Sequence, residues 1–459
     1  MRAHWIAGTW TPPHGGNAFR VACGADESAE YPRASAADVD AALAALERAG
    51  RTWCARSASE RRAALAPALQ RFVADPDPDA RFAARLGWTP EEASDARDEL
   101  ADALHGGVRE GGRGALGGVF APCAGTVLVR RDWSELHAAL AREVVALLAH
   151  GRSVLLLSDP AAPMLADALA RAIAAGAADA PIAVLHDDGF ETLAHALRDP
   201  RVRGLSASGP SARLRELERR LHDVHADDGD RGGFGAGVDE PPCVERSLRV
   251  LRNTSRIVRR SADPVAEARA VVAGAFGRRD ALSGQAPGAI GRVLCHERSL
   301  SSFTAALLAE LAANADVARP LRALDAALVE HHRRAFELGL DEGATPIFTP
   351  GDRPDAASEA SGPRAVVFTN VEEHMRLAWL GRPAPLLGLA RVESDARAEE
   401  LAHALDQDPL AEDLSADPSP VGDEDLDARS AAQGLPAPRP MRPTPRVDPI
   451  DRASPETQP

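Results

Sequence analysis

The chain contains no lysine; its 53 basic residues are all arginine. A guanidinium stays protonated at any working pH, so Schiff-base formation or proton shuttling by a side-chain amine is excluded. Aromatic residues make up only 4%, with one tyrosine, Tyr31. Single-stranded nucleic acid is usually held on aromatic platforms beside a basic groove, and a net charge of -15 repels a polyanion further. No nucleic-acid partner is therefore expected. The five cysteines, Cys23, Cys54, Cys123, Cys243 and Cys295, are odd in number and widely spaced. No CxxC or Cys/His finger spacing occurs, so neither a disulfide framework nor a zinc site is expected. The opening MRAHWIAGTW lacks a signal-peptide apolar region, and no run of about 18 apolar residues follows. No membrane partner is expected, and the default location is the reducing cytoplasm.

What the chain does have is length and small apolar residues. Its 459 residues, 45% hydrophobic, suffice for two or three domains with a sizeable core. Apolar spacing predicts helices over 34–50, with Ser35 as cap and Asp38 completing the box, and over 57–75, with Ser57 or Ser59 as cap. Short apolar runs at 118–129, 153–159, 181–187 and 202–208 read as buried strands. Helical patterns at 141–150 and 161–177 separate them. Strands alternating with helices predict a parallel sheet covered on both faces, a Rossmann-like arrangement. An acidic, Gly-rich loop is expected at 222–242. A second α/β unit follows, with strands at 256–260 and 291–297, a helix at 324–340, and further strands in ATPIFTP and RAVVFTNV. From Asp406 the chain is rich in Pro, Asp, Ser and Ala without apolar periodicity, and is expected to be disordered. The expected division is 1–245, 246–405 and a tail over 406–459.

Several stretches, in order, resemble the aldehyde dehydrogenase superfamily. WIAGTW (5–10) is similar to the family's "INGxW" strand, and GWTPEEASDARDEL (87–100) to its "GKPxxEAxxEV" segment. GRSVLLLSDPAAP (151–163) resembles "GNTVVLKPSExTP", and DPRVRGLSASGP (199–210) resembles "HPxVxxISFTGS". GQAPGAIGRVLCHE (284–297) resembles "GQxCxAxxRvlVhe", and VVFTNVEEHMRLA (366–378) resembles "PTVFTDVxxxMRIA". The resemblance implies an α/β, aldehyde dehydrogenase-like fold: a Rossmann-like N-terminal domain, a second α/β domain of catalytic type, and here a disordered C-terminal tail. The "PFGG" loop and oligomerising strand expected late in the family are not found, so the second domain reads as truncated.

Aldehyde oxidation in that family needs a thiolate, a carboxylate base, an oxyanion donor and a nicotinamide. At the implied thiol position stands Pro287. The base position of "LELGGK" falls on Arg249, which cannot accept a proton. The oxyanion position of "PWNFP", read at APCAG, falls on Ala124, which donates nothing; losing such a donor typically costs about 10²–10³ in rate. The cofactor positions fall on Leu157, Pro210 and Gly381, replacing a lysine, a serine and a glutamate. No GxGxxG follows a strand, and HDDGF (186–190) sets two carboxylates where a pyrophosphate would be repelled.

The resemblance with these losses implies a pseudoenzyme that acts by binding or assembly. It would pair with itself or with an active family member, and no cofactor is expected beyond NAD(P) for any activity that remains. The competing reading is an active oxidoreductase with a relocated thiol, Cys295 or Cys123, and Glu245 or Glu297 as base. A buried strand cysteine such as Cys295 is ordinarily inert. A third reading gives the acidic tail a scaffolding role. His331 and His332 on one helix are expected to be solvated, since adjacent helix positions face apart. Glu245 is expected as a surface charge and His296–Glu297 as a strand end. GGFGAG (232–237) reads as a loop and RPTPRVDP (442–449) as linker.

Overall fold

The computed structural model describes residues 3–22, 28–74, 88–89, 125–187, 189–210, 213–221, 245–277, 282–314, 326–349 and 363–407, with isolated positions between. All of these fall in one contact unit, Met1–Asp413. The expected tail, the loop at 222–242 and Ala124 lie outside the described residues, Asp406 and Gln407 of the tail excepted.

Apolar runs with little polar content become central strands. Thr126–Arg130 (β5), Ser153–Ser158 (β6), Ile182–His186 (β7) and Val202–Gly209 (β8) are almost wholly buried and pair in parallel. Glu245–Val250 (β9) joins β8 in parallel. At the other edge, His4–Ile6 (β1) pairs antiparallel with β7 and with Thr9–Thr11 (β2). The resulting order is β2-β1-β7-β6-β5-β8-β9. Apolar side chains on one face pack under Ala36–Cys54 (α1), and those on the other under Ala58–Ala74 (α2), Leu136–Ala149 (α3) and Pro163–Gly176 (α4). Glu191–Leu197 (α5) returns the chain to β8.

The expected cap of α1 is present: the Asp38 amide donates to Ser35 Oγ at 3.4 Å, and the Ser35 amide to Asp38 Oδ2 at 2.8 Å. Of the two candidates for α2, Ser57 is the one used, with its amide donating to Glu60 at 2.7 Å. The expected strand 118–129 proves to be Thr126–Arg130 within the described residues, because pairing with β6 and β8 fixes its ends. A hairpin unanticipated from the sequence, Ala18–Ala22 (β3) with Ser28–Pro32 (β4), forms a separate two-stranded sheet.

The second sheet runs β10-β11-β14-β13-β12, built from Thr254–Val258, Ile290–His296, Leu386–Val392, Val366–Thr369 and Thr345–Phe348. All its pairings are parallel except β12 with β13. Pro264–Phe276 (α6) starts on an Asp263 cap with proline at its first turn, and Glu297–Ala313 (α7) follows β11 directly. Ala326–Asp341 (α8), Arg376–Trp379 (α9) and Asp395–Gln407 (α10) complete this half. The first sheet ends at Val250 and the second begins at Thr254.

Candidate functional site

Strand order reverses at β5: β6 and β7 lie on one side, β8 and β9 on the other. In open parallel sheets, ligands bind in the crevice beyond the carboxyl ends of the strands at such a switch point. Here the residues leaving β5 are Arg131 to Ser134, and those leaving β6 and β8 are Asp159 and Pro210.

The crevice is occupied by the chain's own charges. Buried Arg131 pairs through Nε with buried Glu143; its other nitrogens reach Glu135 at 3.3 Å and Ser206 Oγ at 3.3 Å. Ser208 Oγ accepts from the Asp132 amide at 3.1 Å and donates to Glu135. Ser134 is consumed locally, its hydroxyl donating to Asp132 at 2.6 Å. Arg213 lies 3.2 Å from Asp132 and 3.5 Å from Asp159. Burial, reinforced by the charge of Asp132, pushes the Asp159 carboxyl up to about 6. The space lined by Asp132, Trp133, Leu157, Ser158 and Asp159 amounts to about 20 Å³, room for roughly one water.

The sequence candidates divide between this crevice and the second half. Arg249 lies on β9, largely exposed, and its guanidinium pairs with Glu135 at 2.9 Å. Leu157 is fully buried in β6, and Pro210 follows β8. Glu245 is not a free surface charge: it is the ion-pair partner of Arg152, whose side chain is fully buried.

Pro287 stands half-buried in the turn that precedes β11. That turn is tied to its surroundings through backbone. Gly288 N–H donates to the Arg252 carbonyl at 2.7 Å, and Asn253 N–H to the Gly381 carbonyl at 2.7 Å. Gly381 is buried where these segments meet. Gly284, at φ +87°, passes so close to Ala384 and Pro385 that a Cβ would lie 2.7 Å from Pro385 Cα. Trp133, Met164 and Leu165 from the first half pack with Leu282, Ala286 and Ala384 from the second in one buried cluster.

Cys295 is fully buried on β11, and burial pushes its thiol up to about 12. A thiol so poorly ionised is a poor nucleophile. Glu297 is exposed at the first turn of α7, and His296 caps that helix, its Nδ1 accepting from the Arg298 amide at 3.2 Å. His331 and His332 are buried, against the sequence expectation. Burial beside the Arg382 cation lowers His331 to about 3, and burial lowers His332 to about 4 despite the carbonyls of Arg364 and Pro385. Helical pattern alone could not show that α8 is covered on both of these faces. Cys54 is disulfide-bonded, to a residue outside the described ones; sequence spacing said nothing of this pairing because the fold, not the sequence, brings the two together. Among the described residues, no group of three side chains could hold a metal ion. None of the described helices is long and apolar enough to cross a membrane.

A family model for the aldehyde dehydrogenase family matches residues 10–225. The fold extends the likeness to nearly the whole chain. An NAD-dependent benzaldehyde dehydrogenase from Corynebacterium glutamicum is 20% identical, with 88% of this chain and 87% of that one covered at a TM-score of 0.70. The aldehyde dehydrogenase family pattern is thus carried by residues 10–225, and the fold of nearly the whole chain is that of such dehydrogenases. Succinate-semialdehyde dehydrogenase from Burkholderia pseudomallei is 21% identical, with 88% and 83% coverage and a TM-score of 0.72. 3,6-Anhydro-L-galactose dehydrogenase, in complex with NAP, is 16% identical, with 87% and 84% coverage and a TM-score of 0.72. No curated protein sequence matches significantly.

Proposed function

We propose that this chain is catalytically silent and acts by binding or assembly, with itself or with an active relative. The observation that carries the reading is Pro287. The turn bearing it keeps its backbone ties, Gly288 N–H to the Arg252 carbonyl and Thr254 N–H to the Ala289 carbonyl, which supports reading it as the frame for a nucleophile with an imino acid in it. Proline offers neither thiol nor N–H.

The other positions support the same reading. Arg249, at the place of the base, is a cation paired with Glu135. Ala124, read at the oxyanion position, donates nothing, and the Ser134 hydroxyl in the turn after β5 is already committed to Asp132. The relocated-thiol alternative meets a buried Cys295 whose thiol is pushed up to about 12.

A nicotinamide dinucleotide, the cofactor named for several of the similar structures, does not fit the residues present. Leu157 is an apolar, fully buried side chain where a cation would reach the ribose. Asp132 and Asp159 set negative charge at the crevice, where a pyrophosphate would be repelled. No step through that cofactor is derived.

The test is to incubate purified protein with NAD or NADP and a panel of aldehydes, following the reduced nicotinamide, with a thermal-shift series on the same cofactors. No turnover and no shift are expected, since a bound ligand would raise stability by mass action. Turnover that one point substitution abolishes would overturn the silent reading. Light scattering of the chain alone, then with an active relative, reads the assembly arm; a monomer that ignores the relative counts against it.

A further inference from the structure

Four titratable side chains stand in a row at one edge of the first sheet: Asp38 on α1, His4 on β1, His186 at the end of β7 and Asp167 on α4. All four are buried. His4 Nε2 lies 4.0 Å from Asp38 Oδ2, the two imidazole rings stack at 5.8 Å, and His186 Nε2 lies 3.0 Å from Asp167 Oδ1. α1 covers one face of the sheet and α4 the other, so the row runs from one layer to the next. Its Asp38 end is fixed by the α1 cap and by His14, whose amide donates to Asp38 Oδ1 at 2.9 Å. On the other side, Ser158 Oγ lies 2.9 Å from His186 Nδ1.

His4 is the member that holds a strand. Among the described residues β2 pairs with β1 alone, so both strands hang on the sheet through β1 and β7. That ladder has only two residue pairs, Trp5 with Val184 and Ile6 with Ala183. At one end Ala7 N–H donates to the Ile182 carbonyl at 3.1 Å; at the other, His186 N–H donates to His4 Nδ1 at 3.3 Å. The second of these closes the ladder on a side chain instead of a carbonyl. A ring nitrogen that accepts from an amide carries no proton, so His4 is neutral with its hydrogen on Nε2. A proton added at Nδ1 turns the acceptor into a donor and sets it against the amide.

We propose that His4 is a proton-operated latch: a proton taken up at Nδ1 breaks its bond from the His186 amide and loosens the β1–β2 hairpin from β7, while β5, β6 and β8 stay paired. The groups facing His4 set the direction. Among the described residues they are His186 on β7, Asp38 on α1, Asp167 on α4 and His14 after β2. Burial first, then His186, disfavours the imidazolium more than Asp38 and Asp167 favour it; His14 opposes it too, and the ring is lowered to about 4. In the loosened form the ring meets water and titrates near its ordinary value of about 6.5. The loosened form therefore takes up the proton at higher pH than the closed one. Closure is complete above about pH 6.5 and weakens as pH falls toward 4. Despite its burial, hydrogen bonds from Ser35 and His14 hold the Asp38 carboxyl below its ordinary range, so Asp38 does not drive the change. What the latch covers is the edge of β7, whose five residues are all buried; an uncovered edge invites another strand. This reading is independent of whether the site is catalytically silent.

Amide hydrogen exchange of the full chain is measured at pH 7 and pH 5 and expressed as protection factors, which remove the pH dependence of intrinsic exchange. Opening of β1 and β2 is expected to grow about twentyfold between the two, as a shift from about 6.5 to about 4 dictates, with β8 unchanged. His4→Gln keeps an acceptor for the His186 amide and has nothing to titrate, so its hairpin protection should be equal at both pH values. Should that variant fail to fold, NMR of the His4 imidazole in the parent reads the same step. It should titrate well below 6.5, in parallel with the loss of hairpin protection; titration near 6.5 would overturn the proposal. So would equal protection at the two pH values in the parent, or a loss that persists in His4→Gln. A loss spread evenly over β5, β6 and β8 would also overturn it, because that is unfolding and not release of one hairpin.

Discussion

The two sheets meet at the candidate site from opposite sides, and they preserve different things. The carboxyl edge of the seven-stranded sheet is filled by side chains: Arg131, Glu143, Glu135, Arg213 and Asp159 neutralise one another in the crevice. The five-stranded sheet preserves backbone: the Pro287 turn, Asn253 and Gly381 remain stitched by main-chain hydrogen bonds. A frame held by main-chain bonds tolerates replacement of the reactive side chains, because no bond in it needs them. A crevice shaped by side chains is lost as soon as those side chains find partners in each other. The lesson is that one face of the meeting is ordered by main-chain bonds and the other by paired side-chain charges.

This contrast can be broken most forcefully on the charged side. Arg131→Met leaves buried Glu143 without its cation and Glu135 with Arg249 alone. Urea unfolding is expected to show a loss of about 3–5 kcal/mol. Adding Glu143→Leu should recover part of the loss; a single variant as stable as the parent would show that the crevice charges are not mutually held.

Acid reads the same sheet at its other edge. His4, buried beside His186, with Asp38, Asp167 and His14 around it, is lowered from 6.5 to about 4, first by burial. The unfolded chain therefore takes up the proton at higher pH than the folded one. Stability is complete above about pH 6.5 and falls as pH drops toward 4, by about 3 kcal/mol for this group. His4→Gln should flatten the pH dependence of the melting temperature across that window; an unchanged slope would refute the assignment.

The backbone side is sharpened by two glycines of one turn. Gly284→Ala forces a Cβ to within 2.7 Å of Pro385 Cα at φ +87°, and a loss of about 2–3 kcal/mol is expected. Gly288→Ala has φ +83° but open space around it, so only the conformational cost of about 1 kcal/mol is expected. Equal effects at the two positions would mean that the turn is not packed against the Ala384–Pro385 segment.

Much of the layout was readable before any coordinates. The apolar runs at 153–159, 181–187 and 202–208 became β6, β7 and β8 almost residue for residue, because a strand buried on both faces needs an unbroken run. β5 was harder, since GVFAPCAGTVLV joins two apolar stretches and nothing local says which pairs with β6. Only the ladder with β6 and β8 fixed that strand as Thr126–Arg130, with Arg131–Ser134 leaving it. The His331–His332 pair was misplaced for a related reason: polarity suggested solvent, whereas burial is decided by what packs across.

The sequence by itself determined the alternation of strands and helices, the capping of α1 by Ser35 and Asp38, and the absence of any lysine. Those are properties of residue type and spacing, which the chain carries with it unfolded. Tertiary structure alone decided that Arg249 meets Glu135, that Asp406 is fastened to Ser255, and that Arg213 sits between Asp132 and Asp159. Each of these joins residues distant in sequence, and no local pattern records which of many charged side chains will share a buried site.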